Sequence, residues 1–411
     1  MRQPIQVAAV LFALELVAAT SSGQTPSPPP ASGDVTDPFE KSKPPATTHV
    51  GPAAPEASSF SLYVDQDSVL PWLGPWGGDQ NYTMGAGFGF GGPWISRRHL
   101  DWPVNGLDAL SGLGKLHSNF RNEAGDGNFL ESHTLTLAVT AFTPQHLEIT
   151  EPIRDDRPYA SLLALTVGHA TIDGVKRRVI RTEFTLGVLG LRIADTVQTS
   201  IHEHRRANNQ KKHPTAVTPY DPQGWPYQIS DGGELAAKYT VSYLKVAQET
   251  RFHDVGLQGE ASLGYYTNVA AGPVLRVGLL RSDLWSLNTN PLTAYNQASC
   301  APEDTSCGGL PKSDRNPNKL ELYAFGAGRL RLVGYNALLE GALRHSEVTF
   351  GATQVEPLVR EFEAGVTASR RNWVLTLALA RRSAEYNVGT PRSHTWGGIY
   401  ITRRWSPAPG S

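Results

Sequence analysis

Four polar stretches of this chain carry the side chains that could do chemistry. The first two read Tyr63-Val64-Asp65-Gln66-Asp67-Ser68 and Gly78-Asp79-Gln80-Asn81-Tyr82-Thr83-Met84-Gly85. The third runs Glu151-Pro152-Ile153-Arg154-Asp155-Asp156-Arg157-Pro158-Tyr159, and the fourth Gln198-Thr199-Ser200-Ile201-His202-Glu203-His204-Arg205-Arg206. Several carboxylates and a histidine at one edge can hold a hard cation and a general base, the equipment of ester hydrolysis. Solvated loops are also polar for solubility alone, so residue types by themselves leave a non-catalytic rim open. No Gly-x-Ser-x-Gly elbow occurs, which excludes a serine nucleophile of that kind. His202 and His204 offer a metal pair on one segment, but no third ligand follows at a spacing diagnostic of zinc. His133, His146, His169 and His345 are scattered along the chain and read as ordinary interface or lumen histidines.

The chain that must position these stretches alternates with period two. Tyr82, Met84, Ala86, Phe88 and Phe90 put bulk on one face, while Thr83, Gly85, Gly87 and Gly89 put almost nothing on the other. Leu135, Leu137 and Val139 oppose Thr134, Thr136 and Thr140; Trp373, Leu375, Leu377 and Leu379 oppose Val374, Thr376, Ala378 and Ala380. Twelve such segments fall near 58–67, 82–91, 134–143, 158–169, 178–190, 237–249, 253–266, 270–281, 319–339, 357–370, 372–384 and 395–405. An even count suits closure. A soluble secreted β-protein would alternate too, but its wet face would carry Lys, Glu and Asp, where Gly, Ala and Thr dominate here. The pattern predicts an all-β fold, a twelve-stranded antiparallel transmembrane β-barrel with long outer loops. Trp94, Trp102, Tyr159, Tyr227, Trp373, Trp396 and Trp405 lie near strand ends and suit interfacial belts.

If the first strand starts on the inner side, odd-numbered connections face outward and all four polar stretches share one rim. Three outer connections are long, 68–81, 144–157 and 191–236. The inner connections 92–133 and 282–318 are then unusually long, and the second carries Cys300 and Cys307, which outside the cytoplasm would read as a small loop disulfide.

Composition agrees. Forty glycines, thirty prolines and only two methionines suit a turn-rich β protein better than a helical bundle. A net charge of −1 supplies no basic field for nucleic acid, which is excluded as a partner. Arg2, the apolar run Ile5 to Ala19 and the small residues Ala18, Ala19, Ser21, Ser22 and Gly23 read as a secretory signal over 1–23. A Pro/Ala/Ser-rich disordered linker is expected over 24–57, the barrel over 58–406 and a short tail over 407–411.

The rim stretches carry a resemblance. Tyr63-Val64-Asp65-Gln66-Asp67, then Asp79 with Tyr82-Thr83-Met84-Gly85, then Asp155-Asp156-Arg157-Pro158-Tyr159-Ala160, then Val197-Gln198 before His202 resemble the lipid A 3′-O-deacylase family. Gln223-Gly224-Trp225 with Gln228 fits the same pattern, and the Asp-Asp-Arg-Pro-Tyr run is the sharpest motif. The resemblance implies a calcium-dependent barrel, a monomer in the outer membrane of a Gram-negative bacterium. Such a barrel removes the 3′-linked acyloxyacyl chain from the lipid A of lipopolysaccharide. It further implies His202 as the base that activates water, Asp67 as the acidic residue tied to the metal, and Thr83 as the hydroxyl neighbour. Gln66 stands where the family pattern has Asn. The acid expected six residues past the histidine falls on Asn208, and the family's lysine after the third strand has no clear counterpart, although Arg154 lies in that region. Arg205 and Arg206 could contact lipid A phosphates or sugars, or form a solvated charge pair. The departures motivate a second reading, a non-catalytic outer-membrane barrel (a narrow channel or structural protein) with a degenerate deacylase rim.

Overall fold

The computed structural model describes residues 58–66, 81–125, 129–212, 221–287 and 318–405. The expected signal peptide (1–23), linker (24–57) and tail (407–411) lie outside these residues, as do Asp67, Cys300 and Cys307.

Period-two alternation produces twelve strands: β1 Ser58–Gln66, β2 Asn81–Gly91, β3 Phe129–Thr143, β4 Ala160–Asp173, β5 Arg178–Leu189 and β6 Glu234–Glu249. The others are β7 His253–Gly264, β8 Tyr266–Leu279, β9 Glu321–Asn336, β10 Leu358–Arg370, β11 Trp373–Arg382 and β12 His394–Trp405. Each pairs antiparallel with its neighbours in sequence, and β1 closes on β12 from Ser58↔Trp405 to Gln66↔Gly397. Closure leaves no unpaired edge, the condition for crossing a bilayer with strands. No helix among the described residues is long and apolar enough to cross a membrane. The end that carries Ser58 and Trp405 is here called the base; the odd-numbered connections collect at the rim.

Apolar side chains stand on the outer wall, where Leu62, Val64, Phe88, Leu165, Leu186, Leu257, Leu275, Leu330, Phe362, Leu375 and Ile401 are exposed. Small and hydroxylic residues point inward and pair across strands, as in Ser61–Thr402 and Thr367–Thr376, each at 2.9 Å. Charges fill much of the remaining interior. Arg331 reaches Glu260 at 2.7 Å and Glu361 at 3.0 Å, Arg382 reaches Glu361 at 2.6 Å and Glu385 at 3.0 Å, and Arg157 reaches Glu385 at 2.5 Å. Buried charges persist only when paired in this way.

The long connection after β2 is not a loop. It carries α1 Trp94–Arg97, α2 Trp102–Ser111 and α3 Leu113–Ala124, which lie on the outside of the wall at the base. Leu165 on β4 and Leu186 on β5 are exposed, yet Val167 and Ile180, on the same faces nearer the base, are buried. Ile95 and Val104 pack on Val167, while Leu113 and Phe120 pack with Ile180, Val241 and Ala261. The opposite side of α2 leaves Trp102 72% and Leu110 86% exposed, an apolar surface for the surrounding lipid. Of the aromatics expected in belts, Trp102, Trp373 and Trp405 are exposed, whereas Trp396 is 2% exposed inside the barrel against Tyr82 at 4.9 Å. Tyr159 is buried at the rim, so neither it nor Trp396 belongs to a belt.

Candidate active site at the rim

The wall side of the site comes from an irregularity in β2. Between Tyr82 and Met84 the β2–β3 register shifts, so one residue is inserted and the side chains before it exchange faces. Tyr82 therefore points into the lumen, where its hydroxyl donates to Asp65 Oδ1 at 2.5 Å. Thr83, expected on the small-residue face, instead shares the outer wall with Thr143, and their hydroxyl oxygens lie 2.6 Å apart. Gln66, the last residue of β1, pairs in register with Met84 and so sits beside this hydroxyl pair.

The cover comes from α4, Ile193–Lys212. The chain leaves β5 through Gly190, whose φ of +75° and approach to the Ser230 carbonyl would place a Cβ 1.9 Å from that oxygen. Glycine is required there. Arg192 and Gln228 both reach Asp231, each at 3.0 Å, and Ser161 donates to Gln228 Oε1 at 3.0 Å, so the start of α4 is tied back to β4. Burial pushes the Asp231 carboxyl up, but Arg192 and Gln228 hold it below its ordinary value.

Ala194, Gln198 and His202 follow at intervals of four and occupy one buried face of α4. Ala194 packs with Ala141, Leu147, Tyr159, Trp225 and Met84, which brings that face onto the outer wall beside Thr83 and Thr143. Trp225 Nε1 donates to Gln198 Oε1 at 2.9 Å, and the Trp225 ring lies 4.9 Å from that of Tyr159. A Cβ on Gly224 would meet the Tyr159 ring at 2.2 Å, which explains the glycine before Trp225. His202, 6% exposed, continues this buried face two turns beyond Ala194, while the Thr83 hydroxyl and Gln66 lie on the stretch of outer wall beside the residues that Ala194 packs against.

Other expected residues fall elsewhere. Arg206 pairs with Asp221, and Arg154 binds the Glu347 carbonyl at 2.8 Å and its carboxylate at 3.4 Å. Glu203 is exposed. Asn208 is on α4, and its side chain, like that of Arg205, lies outside the described residues. Thr143 escaped the sequence reading, although a threonine on the bulky face at a strand end was its visible signal. The Asp-Asp-Arg-Pro-Tyr run serves as a rim clamp. Asp156 accepts from Tyr386 at 2.8 Å and from Arg392 at 2.6 Å, Arg157 crosses to Glu385, and Tyr159 supports Trp225.

A closed twelve-stranded antiparallel barrel with an apolar outer wall defines an outer-membrane β-barrel protein. The family model described as outer membrane protein LpxR matches residues 41–405, and the chain belongs to that family, the lipid A 3′-O-deacylases. LpxR from Salmonella typhimurium has the same fold, with a TM-score of 0.55 at 14% identity over 84% of this chain and 99% of that one. An outer-membrane channel from Pseudomonas putida F1 gives a TM-score of 0.37 at 10% identity over 89% of this chain and 100% of that one. The β domain of a Bordetella autotransporter gives 0.33 at 11% identity over 86% and 99%. No curated protein matches the chain.

Proposed function

We propose that the seam between α4 and the outer wall hydrolyses the 3′-linked acyloxyacyl ester of lipid A in a calcium-dependent reaction. The observation that supports this reading is the burial of His202 on the face of α4 that packs, through Ala194, against the outer wall beside the outward-turned Thr83. A lipid in the outer leaflet reaches such a seam by lateral diffusion, with its acyl chains along the wall and its headgroup at the rim.

In this reading His202 takes a proton from water, and the resulting hydroxide attacks the ester carbonyl. The proton returns from His202 to the departing sugar oxygen, so no acyl-enzyme forms. The Thr83 hydroxyl and the Gln66 amide hold the ester and its developing oxyanion. Burial of the seam excludes competing water and strengthens these contacts. The oxygen donors on this stretch of wall, the Thr83 hydroxyl and the Gln66 amide with Asp67 next in sequence, suit calcium, which takes oxygen ligands. Asp67 would hold the ion with its neighbours, and a bound calcium would supply positive charge to the carbonyl oxygen. Arg205 is the candidate for a lipid A phosphate; Arg154 and Arg206 would have to exchange Glu347 and Asp221 for phosphate oxygens. Ion pairs across the interior speak against the channel form of the non-catalytic reading.

Incubating the purified barrel with lipid A in detergent tests the proposal. Mass spectrometry should show loss of the acyloxyacyl group with calcium present, no loss in EGTA, and recovery when calcium is restored. Lipid A left intact under all three conditions would instead identify a non-catalytic barrel.

A further inference from the structure

A second set of metal-ligating side chains lies at the base, between the helical layer and the outer wall. His133 and His169 face each other in register on β3 and β4, with rings 5.0 Å apart and 9° from parallel. His117 of α3 stacks on His169 as well, at 4.5 Å and 17°. Asp108 of α2 places Oδ2 3.7 Å from His117 Nε2 and 3.9 Å from His169 Nδ1. These gaps exceed a hydrogen bond of roughly 2.7–3.2 Å. His169 is 8% exposed, and its Nδ1 is buried with no hydrogen-bond partner among the described residues.

The same gaps suit ligands of one ion. Two atoms bound to zinc at about 2.0–2.2 Å with tetrahedral angles lie roughly 3.4 Å apart. One ligand atom from each of Asp108, His117 and His169 lies within 4.8 Å of the other two; the two gaps to Asp108 would close with shifts of a few tenths of an ångström, and the His117 ring would turn out of its stack on His169 to bring both lone pairs onto one ion. The far sides of Asp108 and His117 are already held by hydrogen bonds, and a carboxylate stands near that of His169. The Tyr239 hydroxyl donates to Asp108 Oδ1, Thr171 Oγ1 lies 2.7 Å from His117 Nδ1, and Glu131 stands 3.7 Å from His169 Nε2. Arg121 in turn fixes Glu131 at 2.5 Å. Such outer partners orient histidine and carboxylate ligands toward a metal. Thr182 Oγ1, 2.9 Å from Asp108 Oδ2 and 3.3 Å from His117 Nε2, stands near the remaining vertex.

We propose that Asp108, His117 and His169 bind a divalent transition metal of the zinc class, with Thr182 or a water completing the set, and that the ion ties α2 and α3 to β4. Imidazole nitrogens with one carboxylate select such ions over calcium. The half-exposed Arg121 and Glu131 pair marks the edge through which the ion enters. The inference is independent of the rim chemistry, since two of the three ligands come from helices at the opposite end of the wall.

The test uses the full chain without a histidine tag, folded in detergent, exposed to zinc and washed, with bound metal measured by elemental mass spectrometry. One zinc per chain is expected, with retention reduced at least about tenfold in His169→Gln and Asp108→Asn and unchanged in His202→Ala. Cobalt in place of zinc should give the intense visible bands of a tetrahedral site. Should His169→Gln fail the heat-modifiable gel shift of a folded barrel, the cobalt spectrum of the parent decides, and a weak octahedral spectrum overturns the proposal. So does a parent that retains no zinc, a folded His169→Gln that retains it fully, or loss of the metal in His202→Ala.

Discussion

The Trp225 indole N–H donates to Gln198 Oε1 at 2.9 Å, and this bond sets the face that α4 turns toward the barrel wall. Gln198 precedes His202 by one helical turn, so rotation of the first residue displaces the second. Trp225→Phe keeps a ring against Tyr159 but leaves Gln198 Oε1 without its donor, at a cost of about 1–3 kcal/mol. Deacylation should fall on the order of 10- to 100-fold, because displacements near 1 Å weaken catalysis by such factors. The change belongs in kcat, with the folded-barrel gel shift retained; unaltered kinetics would remove the positioning role.

Thr83 and Thr143 share one hydrogen bond but differ in proposed role, which separates chemistry from packing. Thr83→Val should cost roughly 100- to 1,000-fold in rate if its hydroxyl serves the oxyanion. Thr143→Val, which breaks the same bond from the other side, should cost far less, and Thr83→Ser should restore most of the activity. Equal losses in the two valine variants would mean that the pair only packs.

Glu385 predicts a pH limit for the rim. Burial pushes its carboxyl up, but the guanidiniums of Arg157 and Arg382 outweigh burial and hold it at about 2. An unfolded glutamate titrates at about 4.3, so the folded rim gains this stabilisation fully above that value and loses it as pH falls toward the folded one. Hydrogen exchange in residues 383–393, corrected for intrinsic rates, should accelerate between about pH 5 and about pH 2. Glu385→Gln should exchange fast throughout, since breaking a buried pair costs about 3–5 kcal/mol. A parent protein with flat protection across that range would contradict the assignment.

The strands were legible because lipid on one side and a filled interior on the other impose strict alternation, as Trp373 to Ala380 shows. Thr83 was misplaced because a single inserted residue is invisible to a period-two pattern, and here it decides which side chain meets the lipid. The helices between 92 and 128 were hidden by glycines at 106, 112 and 114 and by their shortness, since each depends on the wall for its burial. His133 and His169 looked scattered because 36 positions separate them, while antiparallel register places them side by side. The family motif at 155–159 lies at the rim, where Asp156 and Arg157 brace the connections by their hydrogen bonds and ion pair. Trp396 carried no sign of its inward orientation, which follows from the register of β12 alone.

In the proposed reaction His202 drives ester hydrolysis on lipid A at the rim. Lipid A extracted from Gram-negative cells producing this chain can be compared by mass spectrometry with that from cells producing His202→Ala at equal barrel levels. Loss of the mass of one acyloxyacyl group in the first and intact lipid A in the second is the predicted result. Identical lipid A from both would contradict it.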